Sequence, residues 1–297
     1  MASNIERKTI NGWLNIDKPA GLSSAAVVAR VKYATGARKA GHGGTLDPLA
    51  TGVLPIALGE ATKTVAYVMD GAKAYRFSVR WGEARSTDDL EGEVTETSAA
   101  RPSAKEIKAV LSEFEGEIDQ VPPVYSAIKV AGRRAYRLAR EGNPPELAPR
   151  KVRIERLTLL NDGPDWAEFE VDCGKGTYVR SLARDLARRL GGVGHIIALR
   201  RTRAAGFLEK GAISLDYVAE LSHSARLAEA LLPVETALAD IPALALTGTD
   251  ANRLRRGQCV QVSGTEDGTV CVMADGRAVA LARVAGGEVQ PVRVFNL

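Results

Sequence analysis

One segment of the chain concentrates side chains that could do chemistry. Residues 41–52 read GHGGTLDPLATG, which places one histidine and one aspartate among four glycines. The glycines permit close approach of a large ligand, and the proline after Asp47 biases that residue toward extended backbone. An ionised carboxylate held there could act as a nucleophile or a base. Taken alone, Asp47 is more typical of a turn-forming residue.

A carboxylate that stays ionised for such work needs a cation nearby, and Arg180 is the candidate. A guanidinium remains charged when it is buried, and pairing with it would lower the pKa of the carboxylate.

The charges of the chain are segregated along the sequence. Residues 121–160 hold nine basic and three acidic side chains, whereas residues 81–120 hold four basic and eleven acidic side chains. A basic surface of this kind fits a polyphosphate partner, although solvated surface charge would give the same pattern.

Composition excludes several classes of protein. The chain has 297 residues, 45% hydrophobic and 26% charged, with no run of eighteen apolar residues and no apolar stretch near its start. We therefore expect a soluble, cytoplasmic protein that spans no membrane. The cysteines and histidines are too scattered for disulfides or a metal site, so we expect no metal and no cofactor. They are Cys173, Cys259, Cys271, His42, His195 and His223.

Hydrophobic period and turn signals predict the elements that must position these residues. Strands are predicted at 13–16, 53–58, 73–81, 152–160, 166–173 and 196–203. Helices are predicted after Ser23 or Ser24, at 62–70, behind a capping box that begins at Ser103, and after Arg180. Residues 36–52 are predicted to form an irregular loop, and a small β-rich domain should begin near Leu246.

Residues 41–52 resemble the catalytic motif of the tRNA pseudouridine-55 synthases, and further motifs of that family follow at similar spacing. They are LNIDKP at 14–19, KAYR at 73–76, VPPVYSAIK at 121–129, KGTYVR at 175–180 and HIIALRR at 195–201. The resemblance covers about residues 11–235. It implies a mixed α/β fold whose central sheet is mostly antiparallel, with a catalytic domain over 1–240, an RNA-clamping insertion at about 121–151, and a PUA-like domain at 246–297.

The resemblance also implies an activity, which is the isomerisation of uridine 55 in the T-loop of tRNA. The target base flips out, its N1 glycosidic bond breaks, the uracil turns, and a bond forms between C5 and C1′, all without a cofactor. Asp47 would be the catalytic aspartate, acting either as a nucleophile at C1′ or in deprotonation at C2′. Arg180 would pair with it. Tyr75 matches the tyrosine that stacks on the target base and is a candidate proton acceptor.

The remaining site residues follow from the same resemblance. Tyr178 and Leu199 would line the uracil pocket, and His42 would take the place of the flipped base. Lys18 and Pro19 match a motif that supports the site structurally. Three arginines of the insertion would neutralise RNA phosphates; they are Arg133, Arg134 and Arg137.

The expected partner is the T-stem-loop of tRNA, contacted by a monomer, with the acceptor stem reached through the C-terminal domain. Two other readings stay open from the residues. A tRNA-binding folding chaperone would use the same His42 wedge and the same basic clamp. A pseudouridine synthase that acts on another RNA, guided by a second RNA, would share the catalytic motifs.

Overall fold

Two β-sheets organise the computed structural model, which describes residues 9–221 and 226–297. In chain order the strands are β1 (Gly12–Lys18), β2 (Ala40–His42), β3 (Thr51–Leu58), β4 (Lys73–Trp81), β5 (Glu83–Arg85), β6 (Val94–Thr97), β7 (Gly116–Gln120), β8 (Lys129–Val130), β9 (Arg133–Arg134), β10 (Arg150–Asp162), β11 (Trp166–Cys173), β12 (Gly194–Ala204), β13 (Phe207–Leu208), β14 (Ala243–Ala245), β15 (Val260–Gln261), β16 (Gly268–Ala274), β17 (Arg277–Ala285) and β18 (Glu288–Val294). The helices are α1 (Ser24–Thr35), α2 (Val65–Asp70), α3 (Ala104–Val110), α4 (Ala135–Arg140), α5 (Val179–Arg189), α6 (Leu215–Leu221), α7 (Leu227–Ala230) and α8 (Gly248–Arg255).

The larger sheet has nine strands and carries the catalytic motifs. Its main order is β1-β3-β12-β4-β11-β10-β7, with β2 paired to β3 and β13 paired to β12. Every pair is antiparallel except β12 with β3, which is parallel. The expected mixed α/β fold with a mostly antiparallel central sheet is therefore confirmed. A smaller five-stranded sheet follows in the order β14-β16-β17-β18-β15.

Local sequence explains why the elements around the site form where they do. In β4, apolar side chains alternate with polar ones, so Phe77 and Val79 are buried while Arg76 and Arg80 stay exposed. Phe77 stacks on Phe169 of β11 with ring centroids 5.3 Å apart. This packing holds β4 against β11.

Helix α1 begins and ends at the residues that its sequence indicates. The Ser23 hydroxyl accepts a hydrogen bond from the Ala26 amide at 3.1 Å, and Gly36 ends the helix with a φ of 69°. The predicted capping box is also confirmed, since the Ser103 and Glu106 side chains each accept from the other's backbone amide.

Three predictions needed correction. Residues 36–52 are not wholly irregular, because residues 40–42 form β2 against β3, and β3 itself begins at Thr51. The helix predicted at 62–70 is a 3-10 turn over Gly59–Thr64 followed by α2. The β-rich C-terminal part also contains α8, and its sheet begins at β14, just before Leu246.

The chain's C-terminal segment packs against the larger sheet. Phe295 is buried in a cluster with Trp13 and Val53. The Asn296 amide donates to the Glu60 carboxylate at 2.8 Å, and the Lys63 ammonium donates to the Val294 carbonyl at 2.8 Å. The smaller sheet is therefore tied to the larger one by both apolar and polar contacts. Across the described ranges, none of the helices has the length and apolar character needed to cross a bilayer.

Candidate active site

A cleft of about 270 Å³ opens at the end of the larger sheet where the catalytic motifs meet. The loop after β2, the strands β4 and β12, the start of the basic insertion and the segment before α5 all contribute to it. Its lining residues are Gly44, Thr45, Leu46, Asp47, Met69, Lys73, Tyr75, Ser126, Ala127, Gly174, Gly176, Thr177, Tyr178, Val179, Arg180, Leu199 and Arg201. The structure thus brings five of the predicted site residues together: Asp47, Tyr75, Tyr178, Arg180 and Leu199.

Asp47 and Arg180 form the polar centre of the cleft. The Arg180 Nε donates to Asp47 Oδ2 at 2.9 Å, although the two residues are 133 positions apart in the chain. The Asp47 side chain keeps 34% of its surface exposed, whereas that of Arg180 keeps 4%. The carboxylate therefore faces the cleft while its cation is held beneath it.

Buried backbone acceptors fix the Arg180 guanidinium. One terminal nitrogen, Nη1, donates to the Thr87 carbonyl at 2.8 Å, and the other, Nη2, donates to the Tyr125 carbonyl at 2.9 Å. A second carboxylate, that of Asp89, lies 3.6 Å from Arg180 Nε and is also buried. Asp89 was missed in the sequence because it lies in an acidic loop without periodicity. Its one signal was that Thr87-Asp88-Asp89 is rich in residues that hydrogen-bond locally.

The loop that carries Asp47 is held from below by Lys18. The Lys18 ammonium is fully buried and donates to the carbonyls of Pro19, Leu22 and Pro48 at 2.9, 2.7 and 3.1 Å. Burial lowers the pKa of Lys18 to about 8, and the Asp47 charge opposes that shift. Lys18 thus contacts the loop that bears the carboxylate from behind, and the Pro19 carbonyl is one of the acceptors that hold the Lys18 ammonium.

Tyr75 forms one wall of the cleft. It projects from β4 beside Arg201 of β12, and the two residues are direct neighbours in the sheet. Burial raises the pKa of the Tyr75 hydroxyl, and the adjacent Arg201 guanidinium counteracts the rise. Leu199, which is 7% exposed, adds an apolar surface on the same strand as Arg201.

Tyr178 is positioned by a residue that the motifs did not single out. The Gln120 side chain accepts a hydrogen bond from the Tyr178 amide at 2.8 Å and donates to the Tyr178 carbonyl at 3.1 Å. Gln120 is 1% exposed and lies just before the basic insertion. Burial raises the pKa of the Tyr178 hydroxyl, while the Ser126 side chain beside it counteracts the rise.

Four other predicted residues lie away from the cleft lining. His42 is half-buried on β2, where its Nδ1 accepts from the Gly44 amide at 3.4 Å. Burial lowers the pKa of His42, which favours the neutral ring. The three clamp arginines, Arg133, Arg134 and Arg137, are exposed on β9 and α4, and Arg133 forms an ion pair with Glu141.

The chemistry of the cleft follows from this arrangement. An accessible carboxylate is bonded to a buried cation, with a phenol and apolar walls around it. In such a site the carboxylate could attack a sugar carbon or remove a proton from the sugar. A planar base attached to that sugar could lie between the aromatic and aliphatic side chains. In the described ranges, no three histidine, cysteine, aspartate or glutamate side chains converge as metal ligands. His223 lies outside the described residues.

Comparisons with known proteins agree along the whole chain. Residues 32–179 match the model of the TruB family pseudouridylate synthase N-terminal domain. Residues 180–239 match the tRNA pseudouridylate synthase B C-terminal domain, and residues 241–296 match the tRNA pseudouridine synthase II C-terminal model.

Similar curated proteins and solved structures point the same way. The tRNA pseudouridine synthase B of Bradyrhizobium diazoefficiens is 57% identical over 98% of this chain and 88% of its own length. That of Rhodospirillum rubrum is 54% identical over 98% of both chains. Among solved structures, a chain of a Cbf5-Nop10-Gar1 complex superposes with a TM-score of 0.75 at 28% identity, covering 98% of this chain and 87% of the other.

Proposed function

Because the chain belongs to the TruB family of pseudouridylate synthases and makes pseudouridine in tRNA, we propose that it acts on uridine 55 of the T-loop and that Asp47 is its catalytic carboxylate. The observation that carries this proposal is the Asp47–Arg180 pair at the centre of the cleft. A carboxylate that is accessible, yet bonded to a buried guanidinium, is fixed in place to act on a sugar C1′ or C2′.

The other cleft residues fit the steps of the isomerisation. Tyr75 and Leu199 offer flat and apolar surfaces for a uracil that has left its stack. After the N1–C1′ bond breaks and the C5–C1′ bond forms, C5 must lose its proton, and Tyr75 is the candidate acceptor. Tyr178 closes the cleft beside Arg180. Lys18 and Pro19 support the loop that bears Asp47 without touching the cleft.

Residues outside the cleft are proposed to handle the RNA. Unstacking a base costs a few kcal/mol, which an inserted side chain offsets. His42 is proposed for that role because it ends β2, directly before the loop that carries Asp47. The exposed Arg133, Arg134 and Arg137 would neutralise phosphates of the T-stem-loop. The C-terminal sheet would approach the acceptor stem, and we propose that the monomer acts in the cytoplasm, without metal or cofactor.

The experiment that tests the proposal measures tritium release from C5-labelled uridine in an unmodified tRNA transcript with a chelator present. We expect the wild-type protein to release about one equivalent per tRNA, and a transcript with uridine 55 replaced to release none. Asp47→Asn should bind tRNA and abolish release. A folded Asp47→Asn protein that releases tritium at the wild-type rate would refute the role of Asp47.

A second function, tRNA folding assistance, is favoured by the exposed clamp arginines and tested by the same proteins. If the chain refolds tRNA, Asp47→Asn should retain that activity, whereas Arg134→Glu with Arg137→Glu should lose it. If the chain instead acts on another RNA with the help of a guide RNA, it should release no tritium from bare tRNA. Wild-type release from the bare transcript would therefore exclude that alternative.

A further inference from the structure

Arg201 is a buried cation in the cleft that no motif role accounts for. It is 1% exposed, and its guanidinium lines the cleft beside Tyr75. Its neighbour Arg200 points to the other face of β12, where it pairs with Asp17 and Glu209. The alternation of side chains along a strand separates these two arginines. Arg200 therefore forms ion pairs on one face of the sheet, whereas Arg201 faces the cleft on the other.

The Arg201 guanidinium connects three segments of the site. Its Nε donates to the Val53 carbonyl on β3 at 2.7 Å, and its Nη2 donates to the Gly44 carbonyl at 3.1 Å. Gly44 lies three residues before Asp47. The third neighbour is Tyr75, which is the direct cross-strand partner of Arg201 and lines the cleft beside it. One rigid planar group thus spans the loop of the carboxylate and the wall that carries the phenol.

The charge of Arg201 is not explained by stability alone. In the described part of the chain, no ion pair joins Arg201 to a carboxylate, so its side-chain hydrogen bonds go to two carbonyls, and Tyr75 is its neighbour across the sheet. Burying a cation without an anionic partner costs free energy, and an apolar side chain of similar volume would avoid that cost. An apolar side chain could not donate the hydrogen bonds to Val53 and Gly44 that the planar guanidinium donates.

We propose that Arg201 is a positioning residue for the isomerisation, because its guanidinium fixes the Tyr75 hydroxyl relative to the loop that carries Asp47. The inference rests on the proposed function and deepens it, because it makes Arg201 the residue that sets the distance between the Asp47 and Tyr75 side chains. Arg201 acts through Tyr75 in this scheme, so its effect depends on the phenol oxygen being present.

The test is a double-mutant cycle with four full-length proteins: wild type, Arg201→Lys, Tyr75→Phe and the double variant. Lysine keeps the charge but presents a single point of donation, so it cannot bridge the Val53 and Gly44 carbonyls beside Tyr75 as the planar guanidinium does. The readouts are the single-turnover rate constant for tritium release from the labelled tRNA transcript and the dissociation constant for that tRNA. Arg203→Lys is the matched control, because Arg203 is on the same strand and pairs with Asp172 outside the cleft.

We expect Arg201→Lys to lower the rate constant about 10- to 100-fold, the effect of one lost hydrogen bond to a charged group. The dissociation constant should change less than about threefold, and Arg203→Lys should leave both values within about threefold, a small effect on this scale. In the Tyr75→Phe background the same change should cost less than about threefold, because the phenol oxygen through which Arg201 is proposed to act is gone.

A second cycle in thermal unfolding uses the same four proteins and needs no activity, so it applies even where Tyr75→Phe is too slow to follow. If Arg201→Lys does not fold, Arg201→Gln takes its place. An equal loss of rate with and without the Tyr75→Phe change, or additive losses of unfolding free energy, would overturn the inference. Failure of the proposed function is distinguishable, since it would show as an active Asp47→Asn protein or an inactive wild type.

Discussion

Replacing Gln120 with methionine should destabilise the protein by an amount that the geometry allows us to work out. Methionine is close to glutamine in length but has no amide, so the Tyr178 amide loses its buried partner, which costs about 1–3 kcal/mol. The Tyr178 carbonyl still accepts from the Leu182 amide at 3.0 Å, so its lost bond costs only about 0.5–1.5 kcal/mol. We expect Gln120→Met to lower the free energy of unfolding by about 1.5–4.5 kcal/mol in total.

Urea unfolding followed by circular dichroism measures this difference. Gln258→Met is the matched control, because the Gln258 side chain is exposed and its loss should change stability by less than about 0.5 kcal/mol. Tritium release should also fall for Gln120→Met, since Tyr178 lies two residues before Arg180 at the start of α5. The reasoning is refuted if Gln120→Met and Gln258→Met unfold at the same urea concentration.

Two further variants probe the frame around the cleft. The pKa of Lys18 is about 8 in the folded protein and 10.5 in the unfolded chain, so between these values only the unfolded chain keeps the proton. The unfolding free energy of the wild type should therefore rise with pH relative to Lys18→Met, by up to about 1.4 kcal/mol per pH unit, and parallel pH profiles would contradict this. Gly52→Ala should cost about 2–4 kcal/mol in thermal unfolding, because φ is +95° and a Cβ would lie 2.3 Å from the Arg201 carbonyl oxygen. Gly21→Ala, with φ of +81° but no atom within 4 Å, should cost clearly less, and equal losses would show that crowding against β12 is not the cause.

Elements with their own internal pattern were predictable from the sequence. The strict alternation in Lys73–Trp81 gave β4 with both ends correct, and the spacing of Ser103 and Glu106 located the start of α3. Both signals are local, since one comes from the period of a half-buried strand and the other from a cap within one turn. The strands at 152–160 and 166–173 were predicted for the same reason, and the structure pairs them as β10 and β11.

Elements that depend on distant partners were not predictable in this way. The three residues of β2 are too few to show a period, and they form a strand only because β3 offers them a free edge. Gln120 and Arg201 were likewise missed as site residues. Their partners in the site lie 58 to 157 positions away in the chain. The residues adjacent in sequence to a polar side chain do not predict contacts over such distances. The same holds for Asp89, whose cation Arg180 comes from a distant helix.

The same contrast explains how a glycine-rich loop can hold a carboxylate in place. Residues 43–50 have no helix or strand to set the position of Asp47, yet donors from elsewhere anchor the loop at both ends. Arg201 binds the Gly44 carbonyl, and Lys18 binds the Pro48 carbonyl. These donors belong to the strands β12 and β1 of the larger sheet, so the sheet holds the loop in place. The glycines of the loop are small, which lets RNA approach its backbone closely. The Asp47 carboxylate is therefore positioned through the backbone of its loop, and a variant that weakens either anchor should affect the rate of isomerisation more than it affects tRNA binding.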